Sequence, residues 1–157
     1  PRELIAALAQ TRLRAKIRTG GVTPEAIPAV EHVARFLRAC YAAGVPFKAT
    51  AGLHHPVRAG QALTYDVDSP RAVMHGFLNV FLAAVFHHNG LTGADAIDLL
   101  NAEQLDDVVR DDEKIAWREY VVTTGEITTI RRRHAVSFGS CSFADPVDDL
   151  MKLGYLP

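Results

Sequence analysis

A chain of 157 residues, 48% hydrophobic and 22% charged, is long enough for one domain with its own core. Its formal net charge of −1 supplies no global positive field, which argues against nucleic acid and anionic membrane surfaces as partners. Two cysteines without a CxxC pair, and no secretory leader, point to a reduced, cytoplasmic protein.

In chain order, residues 2–10 read as a short helix and 13–19 as a strand that runs into Gly20-Gly21. Thr23, Pro24 and Glu25 are helix-start residues for a helix over 23–44. Val30, Val33, Ala34, Leu37 and Tyr41 recur on one face, Gly44 stops the helix, and Pro28 is either tolerated or delays the start. Residues 45–51 form the second strand, so strand, helix and strand make a right-handed βαβ unit with parallel strands. A loop covers 53–68.

From Ala72 to Ala94 there is no Asp, Glu, Lys or Arg. This segment is too interrupted for a spanning helix of about 20 apolar residues. It reads instead as a helix over 70–88, opened by Ser69-Pro70 and buried on most of its circumference, with a second subunit as one source of cover. Thr92 and Asp95 resemble a capping box for a helix over 93–101. Residues 102–112 read as short helix or irregular, and 113–121 as helix or strand, with helix favoured. Thr123 and Glu126 form another capping box, before a helix over 124–133 whose terminal Arg131-Arg132-Arg133 complements the helix dipole. A third strand spans 134–139, and Asp145-Pro146 begins a final helix that Gly154 ends.

Strand followed by helix, repeatedly, is the α/β signature: a parallel sheet with flanking helices. Three strands are few for a sheet needing cover on both faces. The pattern therefore fits the C-terminal half of a (β/α)-barrel-like protein. A chain that starts at Pro1 agrees with a missing N-terminal portion, and a homo-oligomer is the other way to complete it.

Chemistry concentrates at the strand ends. Period-two alternation puts Arg14, Lys16 and Arg18 on one face of the first strand and Lys48 and Thr50 on one face of the second. Cations inside a parallel sheet are costly unless paired or facing a polar cavity. The ends themselves read Arg18-Thr19-Gly20-Gly21, Thr50-Ala51-Gly52-Leu53-His54-His55 and Gly139-Ser140-Cys141-Ser142. Glycines admit backbone amides to an anion and hydroxyls add donors. The candidate site therefore joins Lys16, Arg18, Gly20, Gly21, Thr50, Gly52, Gly139, Ser140, Cys141 and Ser142 as binding groups with Lys48, His54 and His55 as catalytic ones.

The ligand is a small anionic molecule, a phosphate ester or carboxylate, and no cofactor is called for. No metal is assigned, because HxH, HExxH and CxxC spacings are absent and adjacent histidines on an extended chain point opposite ways. His75 reads as a hydrogen-bonded core residue. Cys141, a few residues before a helix, is also a candidate nucleophile with a histidine from the second strand tip as base, set against the more common role of a small residue in a tight turn.

The stretches 15-AKIRTGG-21, 45-VPFKATAGLHHPVR-58 and 137-SFGSCSFADPVDDL-150 resemble motifs of a family of uncharacterised bacterial proteins with (β/α)-barrel-like sequences. The resemblance spans most of the chain and implies no reaction. Lys16-x-Arg18 also resembles the cationic strand ends of enolase-superfamily barrels. The acidic metal ligands of those barrels are missing here, so no enolase-type reaction is implied. The leading reading is a small-molecule enzyme using acid–base chemistry, with lyase or isomerase reactions favoured. The alternative is a non-catalytic ligand-binding or oligomeric assembly domain.

Overall fold

The computed structural model describes residues 2–157. A short helix α1 (Arg2–Ala9) leads into strand β1 (Ala15–Arg18). Pro24–Ala26 is a single 3₁₀ turn, and helix α2 (Val30–Ala43) starts only after it. Pro28 is the reason: it drives the preceding residue out of the helical region, and Ile27 sits at φ −87° and ψ 116°. Val33, Leu37 and Cys40 of α2 are buried, and Gly44 ends the helix at φ 62°. Strand β2 (Phe47–Thr50) follows.

The next two segments differ from expectation. The loop contains strand β3 (Ala59–Ala62), which pairs antiparallel with β4 (Arg71–Met74), where a helix starting at 70 was expected. Helix α3 is shorter, Phe77–Phe86, and runs into a 3₁₀ turn at His87–Asn89. Gly76 marks the break. A Cβ there would lie 2.5 Å from the Pro56 carbonyl oxygen, so the chain must cross the 56–57 backbone before a helix can begin. The absence of charge in this stretch reports burial, and burial does not distinguish strand from helix.

Helix α4 (Gly93–Asn101) is capped by Thr92, which accepts from the Asp95 amide. Strands β5 (Val108–Arg110), β6 (Lys114–Trp117) and β7 (Tyr120–Thr123) then form an antiparallel meander, which overturns the helix favoured for 113–121; of 102–112, read as short helix or irregular, only 108–110 is strand and the rest is irregular. Helix α5 (Thr124–Arg133) opens with the Thr123–Glu126 capping box. Strand β8 (Ala135–Phe138) and helix α6 (Ala144–Lys152) complete the chain.

The sheet that organises the molecule has the order β1-β2-β8, all parallel and in chain order. Its inner face presents Ala15, Ile17, Phe47, Ala49 and Ala135, all buried against the helices. Nine of the ten residues of α3 are buried, and the cover comes from α2, α4, β7 and β8 of the same chain rather than from a second subunit. Among the described residues no helix is long and apolar enough to cross a membrane.

Candidate functional site

Parallel pairing delivers the ends of β1, β2 and β8 to one edge of one sheet. Register does more: Lys16 pairs with Lys48, and Lys48 with Ser137, while Arg18 pairs with Thr50 in the next row. In-register partners share a face, so Lys16, Arg18, Lys48, Thr50 and Ser137 lie together on the side opposite the core. All three cations are exposed, and none belongs to a salt bridge among the described residues. The Arg18 Nε donates to the carbonyl of Gly20 at 2.9 Å, which folds the guanidinium back toward its own strand end. Thr50 contributes less, since its hydroxyl donates to the Ile17 carbonyl at 3.4 Å.

The glycines of the first two ends have a packing explanation. A Cβ on Gly20 would fall 2.8 Å from the Gly52 Cα, and one on Gly52 would fall 2.7 Å from the Gly20 Cα. The two turns are in backbone contact, and the buried Thr19 hydroxyl joins them by donating to the Ala51 carbonyl at 2.6 Å. Ala51 and Gly52 both hold positive φ, 58° and 75°. At Gly21 a Cβ would strike the Ala26 side chain, whereas Gly139 has open space around it.

Beyond the strand ends lies a cleft of about 230 Å³ lined by His54, His55, Leu63, Tyr65, Cys141 and Asp145 among others. Its histidine loop is pinned from below. The amides of Phe77 and Leu78, which open α3 and have no partner within that helix, donate to the carbonyls of His55 and Pro56 at 3.0 and 2.9 Å. His54 Nδ1 lies 2.9 Å from the Ser140 hydroxyl, and that oxygen also accepts from the Ser142 amide at 3.2 Å. The Cys141 sulfur sits 3.6 and 3.7 Å from Nδ1 and Nε2 of His54. His55 Nδ1 meets Asp149 at 2.6 Å, and the Tyr65 hydroxyl donates to Asp145 at 2.6 Å.

Burial lowers the pKa of His54 below its ordinary value, and the neighbouring His55 lowers it further. Burial acts to raise Asp149, but hydrogen bonds from His55 and Lys152 outweigh it and hold the carboxyl below the usual range. The bond to Asp145 holds the Tyr65 phenol above its ordinary pKa.

The expected site is thus divided into two neighbouring parts. His54, His55 and Cys141 line the cleft with Ser140 and Ser142 beside them, while Lys16, Arg18, Lys48 and Thr50 lie on the open sheet face and do not line it. Sequence reasoning missed Tyr65, Asp145 and Asp149. Asp145 and Asp149 had a readable signal, because four residues apart on a helix places both on one face. His75 is buried and hydrogen-bonded through Nε2 to the Pro28 carbonyl at 2.8 Å, a core role. Among the described residues no three His, Cys, Asp or Glu side chains are grouped to hold a metal ion. No family model, curated protein or solved structure matches the chain.

Proposed function

We propose that this chain carries the active site of a small-molecule enzyme of (β/α)-barrel type, acting on a phosphate- or carboxylate-bearing substrate by acid–base chemistry. The observation that carries the reading is the group Lys16, Arg18 and Lys48, side by side on an uncovered sheet face without a carboxylate partner, at the sheet end that leads to His54 and His55. Neighbouring like charges repel, so leaving them uncompensated lowers stability unless an anion binds. Parallel strands in chain order with helices on one face match an arc of a (β/α) barrel, whose open face is the lumen and whose strand C-termini are the catalytic end. The outer edges of β1 and β8 have no neighbouring strand among the described residues, which is where further strands, from the same polypeptide or a second copy, would add.

In this reading the three cations hold the anionic group. His54, uncharged at neutral pH through its lowered pKa, accepts a proton from carbon or oxygen of the substrate. His55, steadied by Asp149, returns a proton on the other side. The chemistry is that of a lyase or isomerase.

The test is thermal denaturation of the wild type and Lys48→Ala with inorganic phosphate, a phosphate ester and a dicarboxylate. The wild type should gain several degrees with at least one of them, and Lys48→Ala should gain nothing while starting from an equal or higher Tm. Equal responses from the two proteins would remove the cationic face from the site.

A further inference from the structure

The acid–base reading leaves the cleft's sulfur unused. We infer that Cys141 is a nucleophile, with His54 as its base and Ser140 as the residue that orients the base, and that the cleft forms and hydrolyses a thioester with an activated carboxyl substrate. This rests on the proposed site only in sharing His54 with it.

Three features support the inference independently. The Cys141 thiol is exposed and borders the cleft, so a substrate carbonyl can reach it. Its sulfur is nearly equidistant from the two His54 nitrogens, too close to both to lie in the ring plane between them, so it sits over the ring face, and this exposed side chain must rotate to meet a nitrogen lone pair in that plane. Ser140 selects which one. With the proton on Nδ1, the Ser140 oxygen accepts from both Nδ1 and the Ser142 amide, and the Nε2 lone pair is left for the thiol. Nucleophile, base and orienting group in this sequence of contacts are the parts of an activated thiol. The other cysteine offers no competing chemistry, since Cys40 is 1% exposed and burial pushes its thiol up to about 12.

The step balances without an added oxidant or reductant. The S–H proton moves to His54 Nε2 as sulfur bonds to the carbonyl carbon of an ester or thioester. The bond from that carbon to the leaving group breaks, and the leaving group departs with the proton from His54. Water, deprotonated by His54, then cleaves the thioester, releasing the acid and restoring the thiol. Tyr65, Asp145, His55 and Asp149 supply the polar surroundings of the bound acyl group.

The experiment uses p-nitrophenyl acetate as probe, following nitrophenolate release and locating the acetyl group by peptide mass spectrometry. The wild type should release an initial burst of one equivalent with the acetyl group on Cys141, and Cys141→Ala should show neither. His54→Gln should acetylate Cys141 at least about a hundredfold more slowly, the lower end of the loss for a general base. Ser140→Ala should slow it as well, and the wild-type rate should fall on acidification as His54 takes up its proton. Circular dichroism checks that each variant is folded, and the wild-type pH profile reads the base without any substitution. Absence of the adduct, or a rate indifferent to His54→Gln and to pH in the imidazole range, overturns the inference. Repeating the assay with the p-nitrophenyl monoester of succinate separates the two readings. If acylation requires His54 but neither favours the anionic ester nor responds to Lys48→Ala, the nucleophile stands and the anion site falls. The reverse outcome is Lys48-dependent stabilisation by phosphate with no Cys141 adduct.

Discussion

At the scale of single residues, His87 shows how burial sets charge. It is 4% exposed, its Nε2 has no hydrogen-bond partner, and burial lowers its pKa from 6.5 to about 4, with the charges of His88 and Arg38 acting in the same direction. In the unfolded chain an ordinary histidine takes up its proton near pH 6.5, while the folded protein resists until about pH 4. The unfolded state therefore binds more protons in that window, and stability is lost as pH falls through it. The difference corresponds to on the order of 3 kcal/mol, given 1.36 kcal/mol per pKa unit. Urea denaturation from pH 7 to 4 should show this decline, and His87→Leu should remove the part that His87 contributes. At this scale the sequence was partly legible. The alternation that put Lys16, Arg18 and Lys48 on one face follows from period-two geometry alone. Asp149 meeting His55 across 94 residues depends on how helix α6 folds against the histidine loop after β2, and nothing local encodes it.

Among the elements, those with strong local signals were readable: α2 with its glycine stop, and α4 and α5 with their capping threonines. The β6–β7 hairpin was not. Its two-residue turn, Arg118-Glu119, lacks the glycine or asparagine that usually announces such a turn, and Arg118 takes φ 54°. Tertiary contacts hold it there: the guanidinium reaches Asp95 and Asp98 and lies 4.3 Å from the Trp117 ring centre. Arg118→Ala loses these contacts and keeps the unfavourable backbone, whereas Arg118→Gly loses the contacts and relieves it. Arg118→Gly should therefore be the more stable variant by about 1 kcal/mol, the usual cost of a side chain in the left-handed region. Urea midpoints of the two proteins measure the difference, and equal midpoints would mean that the turn is unstrained.

Across the whole molecule, the expectation of a parallel sheet with flanking helices holds for β1, β2 and β8, because each ends a short link to a helix. Strands β3, β4 and β5 escaped notice, while β6 and the start of β7 fell in a segment read as helix or strand with helix favoured. At three or four residues all five are about as short as β1, β2 and β8, but β4 lies in the stretch read as the charge-free helix, and β3 and β5 lie in stretches read as loop or irregular. The insertion they build, between β2 and β8, also decides how the cleft is supported. The amides of Phe77 and Leu78 tether the histidine loop to α3, the most deeply buried helix of the protein. A rim held this way does not breathe on its own, since freeing it breaks hydrogen bonds anchored in the core. In native-state deuterium exchange, these two amides should be protected with nearly the free energy of global unfolding, unlike the amides of an ordinary surface loop. Slow-exchanging backbone at the cleft mouth makes it a rigid gatepost, and under the proposed function a substrate would enter and leave past a frame that stays in place.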